Sequence, residues 1–180
     1  MRRTIRTIGH STHPLSSFTA LLRQHGIETI ADVRAFPGSR RFPHFDREAM
    51  AVWLPEAGVR YEWLGGPLGG RRRKSAAESP NAALRNASFR NYADYMLTEE
   101  FSRGIDELLT LAREAPTAFM CSELLWWRCH RSLIADYLCA TRGWRVLDIM
   151  GLEAPSEHSP KKEARLEGGL VVYRGESATA

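Results

Sequence analysis

The stretch Thr117-Ala-Phe-Met-Cys-Ser-Glu-Leu-Leu-Trp-Trp-Arg-Cys-His-Arg131 changes abruptly from apolar to reactive side chains. Its first four residues form a short, mostly apolar run after Pro116, which is typical of a buried strand. Beyond Arg128, apolar residues recur at helical spacing as far as Arg142. The stretch therefore predicts a strand over residues 117–120, a turn, and a helix over residues 128–142.

Five side chains with useful chemistry lie in this stretch: Cys121, Glu123, Cys129, His130 and Arg131. On the predicted elements, the first two leave the carboxyl end of the strand and the other three occupy the first turn of the helix. Open parallel sheets bind their ligands where strands end and helices begin. We therefore expect a functional site here.

Short apolar runs alternate with amphipathic segments along the rest of the chain. Helices are predicted at residues 89–96 and 101–112 and in the stretches that follow Pro14 and Asp46. Further strands are predicted at Ile5 to Ile8, Glu28 to Val33, Val59 to Leu64 and Arg145 to Ile149, with a late edge strand at Leu170 to Tyr173. This alternation predicts an α/β fold, a mostly parallel sheet with helices on both faces.

The 180 residues, 43% of them hydrophobic, suit a single domain. Its core is expected at about residues 4–152, followed by a C-terminal extension at about 153–180. Residues 71–87, basic at first and then rich in Ala, Ser, Asn and Pro, predict a mobile insertion.

Location and redox state also follow from composition. No apolar run approaches the roughly 20 residues of a membrane span, and the first residues lack the apolar core of a signal peptide. Three cysteines do not suit a disulfide framework. The expectation is a cytoplasmic protein with reduced thiols and no membrane contact.

Three strand ends carry polar residues: Gly9-His10-Ser11, Asp32-Val33-Arg34 and Cys121-Ser122-Glu123. If these strands are parallel neighbours, the three groups meet at one sheet edge and define a pocket. We predict catalytic roles for Cys121, Glu123, His130 and Arg131, and substrate binding by His10, Ser11, Asp32, Arg34, Ser39 and Cys129.

The catalytic hypothesis depends on the charge of the Cys121 thiol. Arg131, His130 and a helix N-terminus would favour a nucleophilic thiolate, whereas a free Glu123 carboxylate would oppose it. We expect Arg131 to pair with Glu123 or Asp32, which would leave Cys121 activated and Glu123 or His130 able to move protons.

Several plainer interpretations stay open. Cys121 can be a core residue, and Asp32 and Arg34 can form a structural ion pair. The spacing from Cys121 to Arg128 excludes the phosphate loop of cysteine phosphatases. Neither a metal nor another cofactor is expected, because adjacent Cys129 and His130 would point in different directions on a helix.

Positive charge is concentrated in residues 34–74, which hold nine basic and four acidic side chains. The segment includes a glycine-rich loop, Gly65-Gly66-Pro67-Leu68-Gly69-Gly70, and then Arg71-Arg-Arg-Lys74. Such a region can attract phosphates. We therefore expect an enzyme, a hydrolase or transferase, acting on a small anionic or nucleotide-like substrate or a nucleic-acid base. The alternative is a nucleic-acid-binding module with a structural cluster.

Taken in order, the motifs resemble domain of unknown function (DUF) family 488. The resemblance runs from about Thr7 to Tyr173 and implies a small α/β domain, mainly prokaryotic, without an established activity. The sequence departs from the family at Ser122, where Ala is usual, and at Asp148, where His is expected. The matching residues are Gly9, His10, Ser11, Asp32, Arg34, Pro37, Ser39, Cys121, Glu123, Cys129, His130 and Arg131.

Overall fold

Five parallel strands form the centre of the molecule, and a sixth short strand runs antiparallel at one edge. The computed structural model describes residues 3–75 and 78–175. The strand order is β3-β2-β4-β1-β5-β6. The strands are β1 (Thr4–Gly9), β2 (Thr29–Asp32), β3 (Arg60–Trp63), β4 (Thr117–Cys121), β5 (Arg145–Ile149) and β6 (Ser156–Glu157).

Helices connect these strands and cover the sheet. The helices are α1 (Leu15–Gln24), α2 (Arg47–Glu56), α3 (Gly65–Leu68), α4 (Ala87–Tyr95), α5 (Glu99–Glu114) and α6 (Arg131–Arg142). Pro55 lies in the last turn of α2, and Gly143 ends α6 at a φ of 64°, which glycine adopts readily. Asp46 precedes α2 as predicted, but its carboxylate accepts the Ser39 backbone N–H and makes no cap bond.

The two faces of the sheet carry separate cores. Successive strand residues point to opposite faces, so in β4 Phe119 and Cys121 pack with α5 and α6. Ala118 and Met120 pack with α1 and α2. All five residues of β4 are buried, as expected for a central parallel strand. The predicted α/β fold, with a mostly parallel sheet and helices on both faces, is confirmed.

The chain beyond β5 returns to the domain through a buried polar network. The His158 ring lies between two buried carboxylates, with Nε2 2.8 Å from Asp136 and Nδ1 3.1 Å from Asp148. The Tyr173 hydroxyl donates to Asp136 at 2.9 Å. At position 148, where the DUF488 resemblance leads one to expect a histidine, this chain has Asp148, and the imidazole beside it comes from His158.

The predicted strand Leu170–Tyr173 (β8) forms, but it pairs with β7 (Ala164–Glu167) in a separate two-stranded sheet. The edge of β5 that β8 could have joined is taken by β6, the last strand of the main sheet.

The predicted mobile insertion is only partly described, since residues 76 and 77 lie outside the described residues. Asn81 is buried, donates to Asp94 and accepts from the Tyr173 backbone. In the two described ranges, no helix combines the length and apolar character that crossing a membrane would need.

Candidate functional site at the carboxyl edge of the sheet

The strand order brings the three predicted polar groups to one edge. β4 lies between β1 and β2, and the His10 backbone N–H donates to the Cys121 carbonyl at 2.9 Å. On the other side, the Val33 N–H donates to the Met120 carbonyl at 2.9 Å. The predicted convergence of these strand ends is therefore observed.

A cleft with two halves opens at this edge, and we call it the strand-end cleft. One half, about 270 Å³, is lined by both cysteines and His130. The other half, about 470 Å³, is lined by His10, Ser11 and Ser39. The residues that line both halves are Arg34, Phe36, Arg71, Ser122 and Glu123.

Gly9 allows the loop after β4 to lie against β1. A Cβ atom on residue 9 would stand 2.0 Å from the Glu123 carbonyl oxygen and 2.8 Å from the Leu124 Cα. No side chain fits in this space, so the close approach of the two backbones requires glycine. This contact determines where Glu123 enters the cleft.

Asp32 and Arg34 form a buried ion pair. The Arg34 Nη2 donates to Asp32 at 2.6 Å and Nε donates to the other carboxylate oxygen at 2.9 Å. The Tyr61 hydroxyl also donates to Asp32 at 2.7 Å. Burial opposes the charge of Arg34, but the hydrogen bonds to Asp32 raise its pKa above the ordinary value. The charge of Arg34 is thus balanced internally.

His10 completes this network as a neutral ring. Burial, and then the charge of Arg34, lower the pKa of His10 to about 4. Nδ1 donates to the Ser11 carbonyl at 2.9 Å and Nε2 accepts from Arg34 at 3.0 Å. Since both ring nitrogens have partners, His10 orients Arg34 at the cleft wall.

Ser11 and Ser39 shape the same half of the cleft. Ser11 has a positive φ of 49°, unusual for a residue with a side chain. The Ser39 hydroxyl accepts the Phe42 N–H at 3.0 Å and so stabilises the loop after β2.

Cys129 and His130 precede α6, whereas the sequence placed them in its first turn. A single 3-10 turn, Trp126–Arg128, comes first, and Cys129 is extended with φ −121° and ψ 150°. His130 then has φ −58° and ψ −17° and Arg131 begins the helix. This change of conformation brings the two adjacent side chains together, with Cys129 Sγ 3.5 Å from His130 Nδ1.

The surroundings shift the pKa values of the two thiols in opposite directions. The hydrogen bond from Cys121 lowers the pKa of Cys129 to about 6, assisted by the charge and backbone N–H of Arg131. The same hydrogen bond, and then burial, raise the pKa of Cys121 to about 12. Of the two thiols, Cys129 is thus the more acidic, where the sequence had suggested Cys121.

His130 is held on two sides. Its Nε2 lies 3.0 Å from the Val33 carbonyl, which can only accept, so Nε2 carries a proton and faces away from the cysteines, while Nδ1 faces Cys129. A Cβ on Gly70 would stand 2.6 Å from Nδ1 and 2.9 Å from Cγ, so the glycine backbone packs closely on the ring. The Tyr92 ring meets the imidazole at 5.1 Å between centroids.

Arg131 does not form the predicted pair with the Glu123 or Asp32 carboxylate. It is 1% exposed and donates from Nη1 to the Thr7 hydroxyl at 2.7 Å. Its Nη2 donates to the backbone carbonyls of Glu123 and Leu124. The guanidinium is buried behind the loop because those carbonyls face inward, so Arg131 positions the loop.

Glu123 stays available to the cleft. Its side chain is partly buried, and Oε1 accepts the Leu125 N–H at 3.1 Å. Because it lines both halves of the cleft, Glu123 is the carboxylate best placed to exchange protons with a ligand there.

The cleft is also lined by side chains that were not among the predicted site residues, and Phe36, Arg71 and Arg128 are the aromatic and basic ones that the proposal below uses. Phe36 is 73% exposed, and the Arg71 guanidinium lies 5.7 Å from its ring centroid. Phe36 precedes Pro37-Gly38 in a predicted loop, and Arg71 begins the basic run Arg71-Arg-Arg-Lys74. These two sequence signals could have indicated Phe36 and Arg71.

Comparison with known proteins identifies a family for this chain. Searches of curated proteins and of solved structures found no match. The family profile described as "Domain of unknown function DUF488" matches residues 14–138, more than half of the chain. The matched region contains Asp32, Arg34, Glu123 and both cysteines of the cleft. The chain therefore belongs to the DUF488 family.

Proposed function

We propose that the protein is an enzyme, a hydrolase or transferase, that acts on a small anionic or nucleotide-like substrate in the strand-end cleft. The observation that carries this proposal is the meeting of Cys121, Cys129 and His130 at the floor of a cleft with arginines at its rim. Reactive groups that converge in a cleft, at the carboxyl edge of a parallel sheet, are typical of active sites.

The rim supports an anionic ligand with a flat group. Arg71 and Arg128 are exposed, line the cleft and can bind a phosphate or carboxylate. The exposed Phe36 ring beside Arg71 offers a surface on which a base can stack. These contacts are the basis for proposing a nucleotide-like substrate.

Glu123 is the proposed proton-transfer group. It lines both halves of the cleft, so it reaches a ligand that bridges the rim and the cysteine-histidine floor. Arg131 holds the surrounding backbone and Arg34 forms part of the wall, where its charge is already paired with Asp32. Their proposed role is positional.

Ligand binding measured by calorimetry tests this assignment with three variants. Arg71→Ala should weaken binding of both inorganic phosphate and nucleoside monophosphates about tenfold, the effect of one charge-assisted hydrogen bond. Phe36→Ala should weaken only the nucleotides, since phosphate has no base to stack. Arg73→Ala, an exposed neighbour that does not line the cleft, should change neither.

If none of these anions binds, or if Arg71→Ala and Phe36→Ala leave every affinity unchanged, the cleft is not the site of such a substrate.

The second candidate is a nucleic-acid-binding module, favoured by the exposed Arg40, Arg41, Arg73 and Lys74. Against it, part of the basic excess is engaged, since Arg34 pairs with Asp32 and Arg60 pairs with Glu62 and Glu114. Oligonucleotide binding that falls steeply with salt and survives Cys121→Ala would favour the module. A cytoplasmic location belongs to the same proposal, and the three unpaired thiols support a reducing compartment.

A further inference from the structure

Three soft ligand atoms converge at the floor of the strand-end cleft. The sulfurs of Cys121 and Cys129 and a ring nitrogen of His130 all lie within 4.8 Å of one another. Each residue is at most 9% exposed. Thiols and an imidazole at such distances in a protein without disulfides indicate either catalysis or metal binding.

The distances suit zinc. Bonds of about 2.3 Å to sulfur and 2.0–2.1 Å to nitrogen place tetrahedral ligands roughly 3.5–3.8 Å apart. Cys129 Sγ and His130 Nδ1 are already 3.5 Å apart. Small side-chain rotations would bring the Cys121 sulfur to the same separation.

The imidazole is oriented as a metal ligand. Its Nε2 proton is directed to the Val33 carbonyl, so Nδ1 is the ring nitrogen that faces the sulfurs and the one that a metal would bind in the neutral ring. Histidine ligands are typically fixed in this way by a backbone carbonyl or carboxylate on the other nitrogen. Gly70 on the ring face prevents the ring from turning away.

Metal binding requires thiolates, and a nearby cation reduces the repulsion between them. Arg131 is buried two residues after Cys129, and its Nη1 and Nη2 donate to a hydroxyl and to backbone carbonyls, none of which carries an opposing charge. Two thiolates, a zinc ion and Arg131 carry a net charge of about +1, which Glu123 at the cleft can offset.

We propose that Cys121, Cys129 and His130 bind one zinc ion whose fourth position opens into the strand-end cleft. Structural zinc sites are closed by four protein ligands, whereas catalytic sites keep a position for water or substrate. Here three ligands line the cleft, and Glu123 lines it beside them. The metal site itself stands apart from the proposed function, while its catalytic use rests on that function.

Cobalt substitution tests the site on the full-length chain. Metal-stripped protein titrated with Co²⁺ should bind one ion and show the charge-transfer absorption of thiolate-bound cobalt, and Zn²⁺ should displace it. Cys129→Ser and Cys121→Ser should each weaken Zn²⁺ binding by more than about 100-fold, beyond the loss typical of residues that only orient a ligand. Cys139→Ser, in α6 and outside the cluster, should retain full binding.

The wild-type spectrum decides the matter even if a variant fails to fold. Absence of thiolate charge transfer, or equal Zn²⁺ affinity for wild type and Cys129→Ser, would overturn the metal site. If nucleotides still bind under those conditions, the proposed function survives and the cysteines act without metal. Conversely, if the chain binds Co²⁺ and Zn²⁺ at this site but binds no anion, the metal site stands and the proposed function is refuted.

Discussion

At the scale of single residues, the site depends on groups that hold others in place. Arg131, Gly9 and Gly70 touch the backbone or ring of the cleft residues. Buried polar groups are costly without partners, so each such contact affects stability as well as geometry. Substitutions at Arg131 and Gly70 should distinguish the effect on stability from the effect on cleft geometry.

Arg131→Met should lower the free energy of unfolding by about 3 kcal/mol. The substitution leaves the Thr7 hydroxyl and the carbonyls of Glu123 and Leu124 without their donor, and each unsatisfied buried group costs roughly 1–3 kcal/mol. Arg128→Met, on the exposed side of the same loop, should change the free energy by less than about 0.5 kcal/mol. Urea denaturation measures both, and equal effects would refute the positional role of Arg131.

Gly70→Ala should displace the His130 ring and weaken Zn²⁺ binding at least about tenfold. The added Cβ would stand 2.6 Å from Nδ1, closer than carbon and nitrogen can pack. Gly66→Ala is the matched control, since nothing lies within 4 Å of its Cβ position. A change in how the His130 nitrogen binds the metal would alter the absorption spectrum of the Co²⁺-substituted protein. An unchanged spectrum in Gly70→Ala would show that the ring does not depend on this contact.

At the scale of elements, β4 and α6 carry the site, and the segment after β5 holds α6 from outside. His158 connects β6 to Asp136 of α6 and to Asp148 of β5. Burial opposes protonation of His158, but its hydrogen bonds to both carboxylates raise its pKa above 6.5. The proton on this ring is therefore part of what holds the C-terminal segment.

The stabilisation from His158 should decrease at alkaline pH. Because the folded pKa is raised, the contribution is fully present below about pH 6.5, the unfolded value, and is lost as pH rises through the folded pKa. Unfolding free energies of wild type and His158→Gln, measured from pH 5.5 to 9, should differ most at the acidic end. A difference that grows with pH would contradict the sign of the shift.

Breaking this network at neutral pH should also be costly. Removing one partner of a buried ion pair typically destabilises by 3–5 kcal/mol, and His158→Gln keeps only part of the hydrogen bonding. His25→Gln provides a control, because that ring makes one hydrogen bond, to the Gly151 carbonyl. Comparable losses in the two variants would argue against a special role for the His158 cluster.

At the scale of the whole molecule, two cores lie on the two faces of one sheet, and the C-terminal hairpin belongs to the first of them. Val171 and Tyr173 are buried in the core that also contains Phe119 and Cys121. Within the segment that the sequence predicts as a C-terminal extension, His158, Val171 and Tyr173 are thus buried against the domain.

Truncation after residue 152 should therefore destabilise the whole domain. It would expose the core around Tyr173 and leave Asp136 and Asp148 without His158. The full-length chain should unfold in one transition by circular dichroism and by tryptophan fluorescence, whereas the truncated chain should lose that cooperativity. A truncated chain with an unchanged melting curve would show that the extension is dispensable.

The sequence by itself determined the main strands and helices and the edge where the site forms, but it missed α3, which lies in the predicted glycine-rich loop, and the short strands β6 and β7. Apolar runs such as residues 117–120 and helical spacing after Arg128 are local signals, so approximate strand and helix positions follow from neighbouring residues. Because parallel strands end at a common edge, polar residues at 10, 32 and 121 could be predicted to meet there.

Only the tertiary structure decided how the side chains use that edge. The turn at Trp126–Arg128 delays α6 by three residues, and this moves Cys129 and His130 into contact. Arg131 binds carbonyls instead of a carboxylate because the loop at Glu123, lying against Gly9, turns its backbone inward. Such choices depend on close packing between segments far apart in sequence, which no local pattern encodes.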